Sequence, residues 1–158
     1  MKWIKKDLQQ FVKAKEYVDT AIVPLLSFQL SDDAKLERDA FQSETQSVFL
    51  RELEKELTGR VMLIPDYRYL KSADKDAELN RLQSWVGDVQ AQPFRHVFFI
   101  TSDSSWKKSE QELPGTLIWL PITAGDSANP ENMQPIIREH VQQVSELIRS
   151  YWKDDQKA

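Results

Sequence analysis

Four short apolar runs, set apart by stretches of helical periodicity, leave this chain few architectures. They are the VDTAIVPLLSF segment at 18–28, VMLIP at 61–65, HVFFIT at 96–101 and TLIWLPI at 116–122. Runs that are apolar without alternation suit strands covered on both faces. Strands that alternate with helices build βαβ units and a largely parallel sheet.

The intervening segments carry the 3.6-residue spacing of amphipathic helices. Residues 4–16 place Ile4, Leu8, Phe11, Val12 and Lys15 at helical intervals. Over 33–57, Phe41, Val48, Phe49, Leu53 and Leu57 share a stripe widened by Leu36, Ala40 and Leu50. Ser31, Asp32 and Asp33 supply N-cap chemistry for it, and Gly59 is a natural stop. Residues 75–91 turn Leu79, Leu82, Trp85, Val86 and Val89 inward. Over 132–152, Met133, Ile137, Val141, Val144, Ile148, Tyr151 and Trp152 keep the period, with Ile136 and Leu147 beside them.

The expected order is α-β-α-β-α-β-β-α in a single α/β domain spanning 1–152. It is a Rossmann-like three-layer sandwich with helices on both faces of a four-stranded, mostly parallel sheet of strand order 2-1-3-4. The polar connection 102–114 shows no clear helix, so strand 4 is free to lie antiparallel at the edge. Residues 125–132 read as a turn-rich loop and 153–158 as a frayed tail. Pro24 has no backbone donor, so the first strand, centred on Ala21–Val23, is expected to end there. The shared patterns IVP, LIP and WLP read as strand ends meeting one common rim rather than as an internal repeat.

Composition removes many chemistries. The 158 residues include no Cys, two His and four Gly. Disulfides, thiolate nucleophiles and Cys-ligated metals are therefore absent. A His-rich metal site or a Gly-rich phosphate loop is hard to build, and no cofactor motif is present. A net charge of −4 argues against nucleic acid as a partner. No G-x-S-x-G elbow occurs. His96 lies at the opposite strand end from Ser102, and His140 lies within the last helix, so neither serves a serine nucleophile.

Parallel α/β sheets bind ligands outside the strand C-termini, where the strand order reverses. Here that point lies between strands 1 and 3. Its lining would be Ser27 and Phe28 after the first strand, and Thr101, Ser102, Asp103, Ser104, Ser105 and Trp106 after the third. Asp66, Tyr67 and Tyr69 would stand to one side and Thr123 to the other. Such a polar rim with aromatic walls suits a small ligand; Ser and Asp are also ordinary loop residues. Asp66 and Asp103 could act as acid and base or as magnesium ligands, which makes a small enzyme the alternative reading. Asp32 and Asp33 are explained by the helix start, and Lys107 and Lys108 lack a phosphate cradle.

Residues 1–17 carry five Lys against Asp7 and Glu16. With Trp3, Ile4, Leu8, Phe11 and Val12 they form a basic amphipathic helix. Such a helix docks on its own domain, or uses Trp3, Lys5 and Lys6 to meet a protein partner or a membrane surface. Lys5, Lys6 and Asp7 interrupt any signal-type apolar stretch, and no window reaches a membrane span, so a cytoplasmic location is expected.

The segments YVDTAIVPL and LIPDYRYL, within MKWIKKDLQQFVKAKEYVDTAIVPLLSF and VMLIPDYRYL, resemble the YpiF-type family of small uncharacterised Bacillus proteins. That resemblance spans nearly the whole chain. It implies a cytoplasmic Gram-positive protein in a respiratory-chain context, near genes for the menaquinol–cytochrome c reductase. It carries no catalytic residues over. A weaker resemblance, in AIVPLLSF, the long helix and VMLIP, is to the amino-terminal domain of TolB-like proteins. With no nucleophile elbow, phosphate loop or metal cluster, the expectation is a non-catalytic binding or adaptor module.

Overall fold

Strand β1, Thr20–Phe28, is the axis of the sheet. The computed structural model describes residues 1–122 and 130–157. On one side β1 pairs in parallel with β4 (His96–Thr101), which pairs in parallel with β5 (Thr116–Trp119). On its other side two short strands follow in line. β2 (Val61–Leu63) pairs with Thr20–Ile22, and β3 (Tyr67–Leu70) with Leu25–Phe28. The sheet order β2-β1-β4-β5 is the expected 2-1-3-4.

Besides the fifth strand, β3, where a four-stranded sheet was expected, two expectations are corrected here. The last strand is parallel, because the 102–114 connection winds into a 3-10 segment at Ser104–Glu112 that carries the chain back across the sheet. The second correction concerns Pro24 and Pro65. β1 does not end at Pro24, which sits level with Ile100 of β4. The amide of Ile64 donates to the Ile22 carbonyl, and that of Lys71 to the Phe28 carbonyl. In a parallel ladder alternate residues bond to opposite neighbours, so Pro24 also faces the β2–β3 side. There the register sets Ile64–Asp66, three residues, against Val23 and Pro24, a bulge-like break. The donor that proline lacks thus points at the one place where the neighbouring ladder is interrupted. Pro65 and Pro121 each stand two residues past the end of a strand, but Pro65 marks that interruption and not the rim.

Helices complete the layers. Helices α2 (Leu36–Glu56) and α4 (Pro130–Gln156) cover one face, burying Phe49, Leu53, Ile137, Val144 and Ile148 against Ile22, Phe98, Ile100 and Ile118. Helix α3 (Lys75–Val89) and the 3-10 segment cover the other, where Leu79, Leu82, Val86 and Trp106 meet Ala21, Val23, Leu25, Val97 and Phe99. Adjacent strand residues point to opposite faces, so a doubly covered strand is apolar throughout. Gly115 opens β5 because a Cβ there would lie 2.5 Å from the Val97 carbonyl oxygen. Gly59 turns α2 into β2 at φ +96.

Helix α1 (Lys5–Lys13) packs beside β2, with Phe11 stacked on Phe94 at 5.7 Å. Met1 and Lys2 run alongside Leu63 and cover that sheet edge. At the far end of the sheet Trp152 donates to Thr20 Oγ1 at 2.8 Å, and Asp155 meets His96 at 2.6 Å. Helix α4 therefore runs through Gln156, where a frayed tail was expected. Of the expected loop at 125–132, residues 130–132 belong instead to α4, while residues 125–129, the lining residue Thr123 and Ala158 lie outside the described residues. Among the described residues no helix is long and apolar enough to cross a membrane.

Candidate functional site

The switch point between β1 and β4 is sealed by a glutamine. Gln46, on the inner face of α2, is 1% exposed. Its Nε2 donates to the carbonyls of Leu25 (3.3 Å) and Ile100 (3.0 Å), where the β1–β4 ladder ends. Its Oε1 accepts from the Ser102 amide (3.3 Å) and hydroxyl (3.2 Å). One side chain thus meets the polar groups that splaying strands leave unpaired. Sequence periodicity missed it, because a polar residue on a helical stripe looks like an interruption of the apolar face.

Above this plug lies a polar depression of about 560 Å³. It brings together Ser102, Asp103, Ser104 and Ser105 from the expected rim. Asp103 caps the 3-10 segment, its Oδ1 accepting from the Ser105 amide (3.0 Å) and hydroxyl (2.6 Å). Its Oδ2 accepts from the Tyr69 hydroxyl at 2.6 Å and from Lys75 Nζ at 3.3 Å.

The aromatic candidates do not line this depression. Tyr67, Tyr69 and Trp106 are each 0–1% exposed and belong to the core beneath α3. The reason is β3. Once residues 67–70 form a strand, Tyr67 and Tyr69 both point to one covered face, while Arg68 points to the other and reaches Ser43 Oγ at 2.9 Å. Trp106 Nε1 donates to the Tyr69 oxygen at 2.8 Å. Tyr67 donates to the Glu78 carboxylate. Burial first, and then the neighbouring carboxylates Glu78 and Asp103, push both phenols far above their ordinary range. They are locked donors and stay protonated.

Asp66 does not join Asp103. It stands exposed in the Ile64–Asp66 break, paired with Arg68 at 3.4 Å, outside the depression. The pairing needed for an acid–base or magnesium site is therefore not formed. Among the described residues no three His, Asp or Glu side chains gather to hold a metal.

Sequence reasoning missed three cations at this rim. Arg38, Lys71 and Lys75 all line the depression. Lys71 follows β3 directly and bonds Asp39 at 3.0 and 3.2 Å. Lys75 lies over the rings of Tyr69 (4.3 Å) and Trp106 (5.3 Å). Reading the strand as ending at Pro65 placed the rim several residues too early in the chain.

Among the described residues, three carboxyls lie below the usual carboxylate range. Burial raises each, and more is taken back by partners: Arg60 and Thr20 at Asp19, Gln29 and Lys71 at Asp39, Ser105, Tyr69 and Lys75 at Asp103. A depressed folded-state pKa stabilises the fold above the unfolded value of about 3.9 and loses that stability as pH falls through the folded value. Thermal midpoints should therefore drop below about pH 4. Asp103→Asn should flatten that acid limb, which melting curves from neutral pH into the acid range would check.

The second candidate region is the N-terminal helix. Between α1 and α3, floored by Met62, Ile64 and Pro65, runs an apolar groove of about 630 Å³. Trp3, just ahead of α1, and Val12 on α1 form one wall, 64% and 67% exposed. Trp85 and Val89 form the α3 wall. Of the predicted contact residues Trp3 lines the groove. Lys5 and Lys6 are exposed on α1 but do not line it, whereas Lys15 does. The helix buries Phe11 and half-buries Leu8 on the domain and leaves Val12 open.

Comparison with known proteins places the chain. The "Uncharacterized protein YpiF" of Bacillus subtilis (strain 168) is 26% identical over 152 residues, which is 96% of this chain and 98% of the relative. A solved structure, the "sigma-54 interaction domain protein from Enterococcus faecalis", is similar with a TM-score of 0.43 and 11% identity, over 89% of this chain and 97% of that one. The model of the family described as "Protein of unknown function (DUF2487)" matches residues 9–152, from within α1 through all five strands to Trp152 of α4. The chain belongs to the DUF2487 family, in keeping with the resemblance carried by YVDTAIVPL and LIPDYRYL.

Proposed function

We propose that this protein is a cytoplasmic, non-catalytic binding module that captures an acidic amphipathic segment of a partner protein, in the respiratory-chain context that the family resemblance implies. The observation that carries the reading is the α1–α3 groove, apolar, open and bordered by lysine-rich α1. Its concavity suits an inserted side-chain row rather than a flat membrane. Only Lys15 and Asp88 among its lining residues are charged, and residues 1–17 carry five Lys against two acids. Charge complementarity then favours a partner with acidic flanks, which sets orientation and encounter rate more than affinity. Helix-in-groove binding of this kind reads apolar anchors at helical spacing.

Two labelled amphipathic peptides with the same Leu and Phe face, one flanked by Glu and one by Lys, test this by fluorescence anisotropy. The Glu peptide should bind saturably and the Lys peptide about tenfold more weakly, a difference of about 1.4 kcal/mol. Val12→Glu should abolish binding without unfolding, because Val12 is exposed. Binding of neither peptide, or indifference to Val12→Glu, would overturn the proposal. Salt-sensitive binding to anionic vesicles in place of the peptide would assign the surface to a membrane.

A further inference from the structure

Three cationic side chains from three separate elements border the depression above Gln46. Arg38 lies in the first turn of α2, Lys71 just beyond β3, and Lys75 at the start of α3. Two carboxylates, Asp39 and Asp103, stand among them, leaving an excess of positive charge. Both are already engaged. Asp39 accepts from Gln29, Arg38 and Lys71, and Asp103 from Tyr69, Ser105 and Lys75. With their oxygens committed to neighbours, they anchor the cations from behind and offer little to a metal. An ammonium has three donors and a guanidinium five, so each cation keeps donors beyond its carboxylate bond. The hydroxyls of Ser27 and Ser104 line the same walls.

An anion meeting cations on three elements at once must present several oxygens spread in space. A phosphate group does this, and a single carboxylate does not. The volume of about 560 Å³ is that of a small-molecule site. We infer that the depression between the C-terminal ends of β1 and β4, bordered by Arg38, Lys71 and Lys75, is a binding site for a small phosphorylated metabolite. It is separate from the α1–α3 groove and stands or falls independently of it.

Inorganic pyrophosphate is the probe, titrated into the full-length protein and followed by amide chemical shifts and calorimetry. Saturable shifts at residues 71–75 and 102–105, with a Kd below about 1 mM at moderate salt, are expected. Lys71→Met and Lys75→Met should each weaken binding about tenfold, and Lys6→Met on α1 should leave it unchanged. Lys75 packs on aromatic rings, so if Lys75→Met lowers the melting temperature the exposed Lys71 decides the matter. No saturable shift at about ten times that concentration would overturn the inference. So would an equal loss in Lys6→Met, or shifts at Asp39 and Asp103 produced by magnesium alone.

Discussion

Replacing Trp106 with alanine is expected to destabilise the protein by about 3–5 kcal/mol, the range for truncating a buried Trp. In a chain of this size that corresponds to a fall in melting temperature on the order of 10 °C. Trp106 is fully buried and meets Tyr69 edge-on at 5.4 Å. Its indole N–H also holds the Tyr69 oxygen, whose own hydrogen is given to Asp103. Alanine would open a cavity under the 3-10 segment and loosen the carboxylate that caps it. Trp106→Phe keeps most of the volume and loses only the donor, so it should cost about 1 kcal/mol. Denaturant titration of both variants separates packing from hydrogen bonding. Equal losses would mean that the hydrogen bond dominates.

Gln46→Leu is the second large effect. Leucine fits the helix and the surrounding core, yet it abandons the Leu25 and Ile100 carbonyls and the Ser102 amide. Buried groups left unsatisfied cost about 1–3 kcal/mol each. Water entering from the open depression above should satisfy some of them, so a net loss of about 2–3 kcal/mol is expected. Amide hydrogen exchange gives a local readout: Ser102 should lose protection while the central residues of β4 keep theirs. An unchanged unfolding midpoint would show that the plug has no structural role.

The candidate site was half legible in the sequence. Ser102–Ser105 follow a strand whose apolar run is unbroken, so their place at the rim could be read directly. Tyr67, Tyr69 and Trp106 were misplaced because an aromatic residue in a polar stretch looks like a ligand wall. Pairing of residues 67–70 with β1 turns the two tyrosines into core. Lys71 and Lys75 were overlooked for the same cause, since the strand that delivers them resumes only after the break at Pro65. On α1 the periodicity identified an apolar face, but not how little of it the domain covers.

The alternation of apolar runs with amphipathic stretches determined the layers, the parallel sheet and its strand order, because burial on two faces and short connections admit few alternatives. Neither the continuation of β1 through Pro24, nor the parallel return of β5, nor the sealing of the switch point by Gln46 was decided locally. Each depends on what lies across a ladder or a layer interface. A missing donor is harmless only opposite a gap, and a buried amide is tolerated only where carbonyls wait for it. Those conditions arise when distant segments are brought together, and a linear pattern of residues does not contain them.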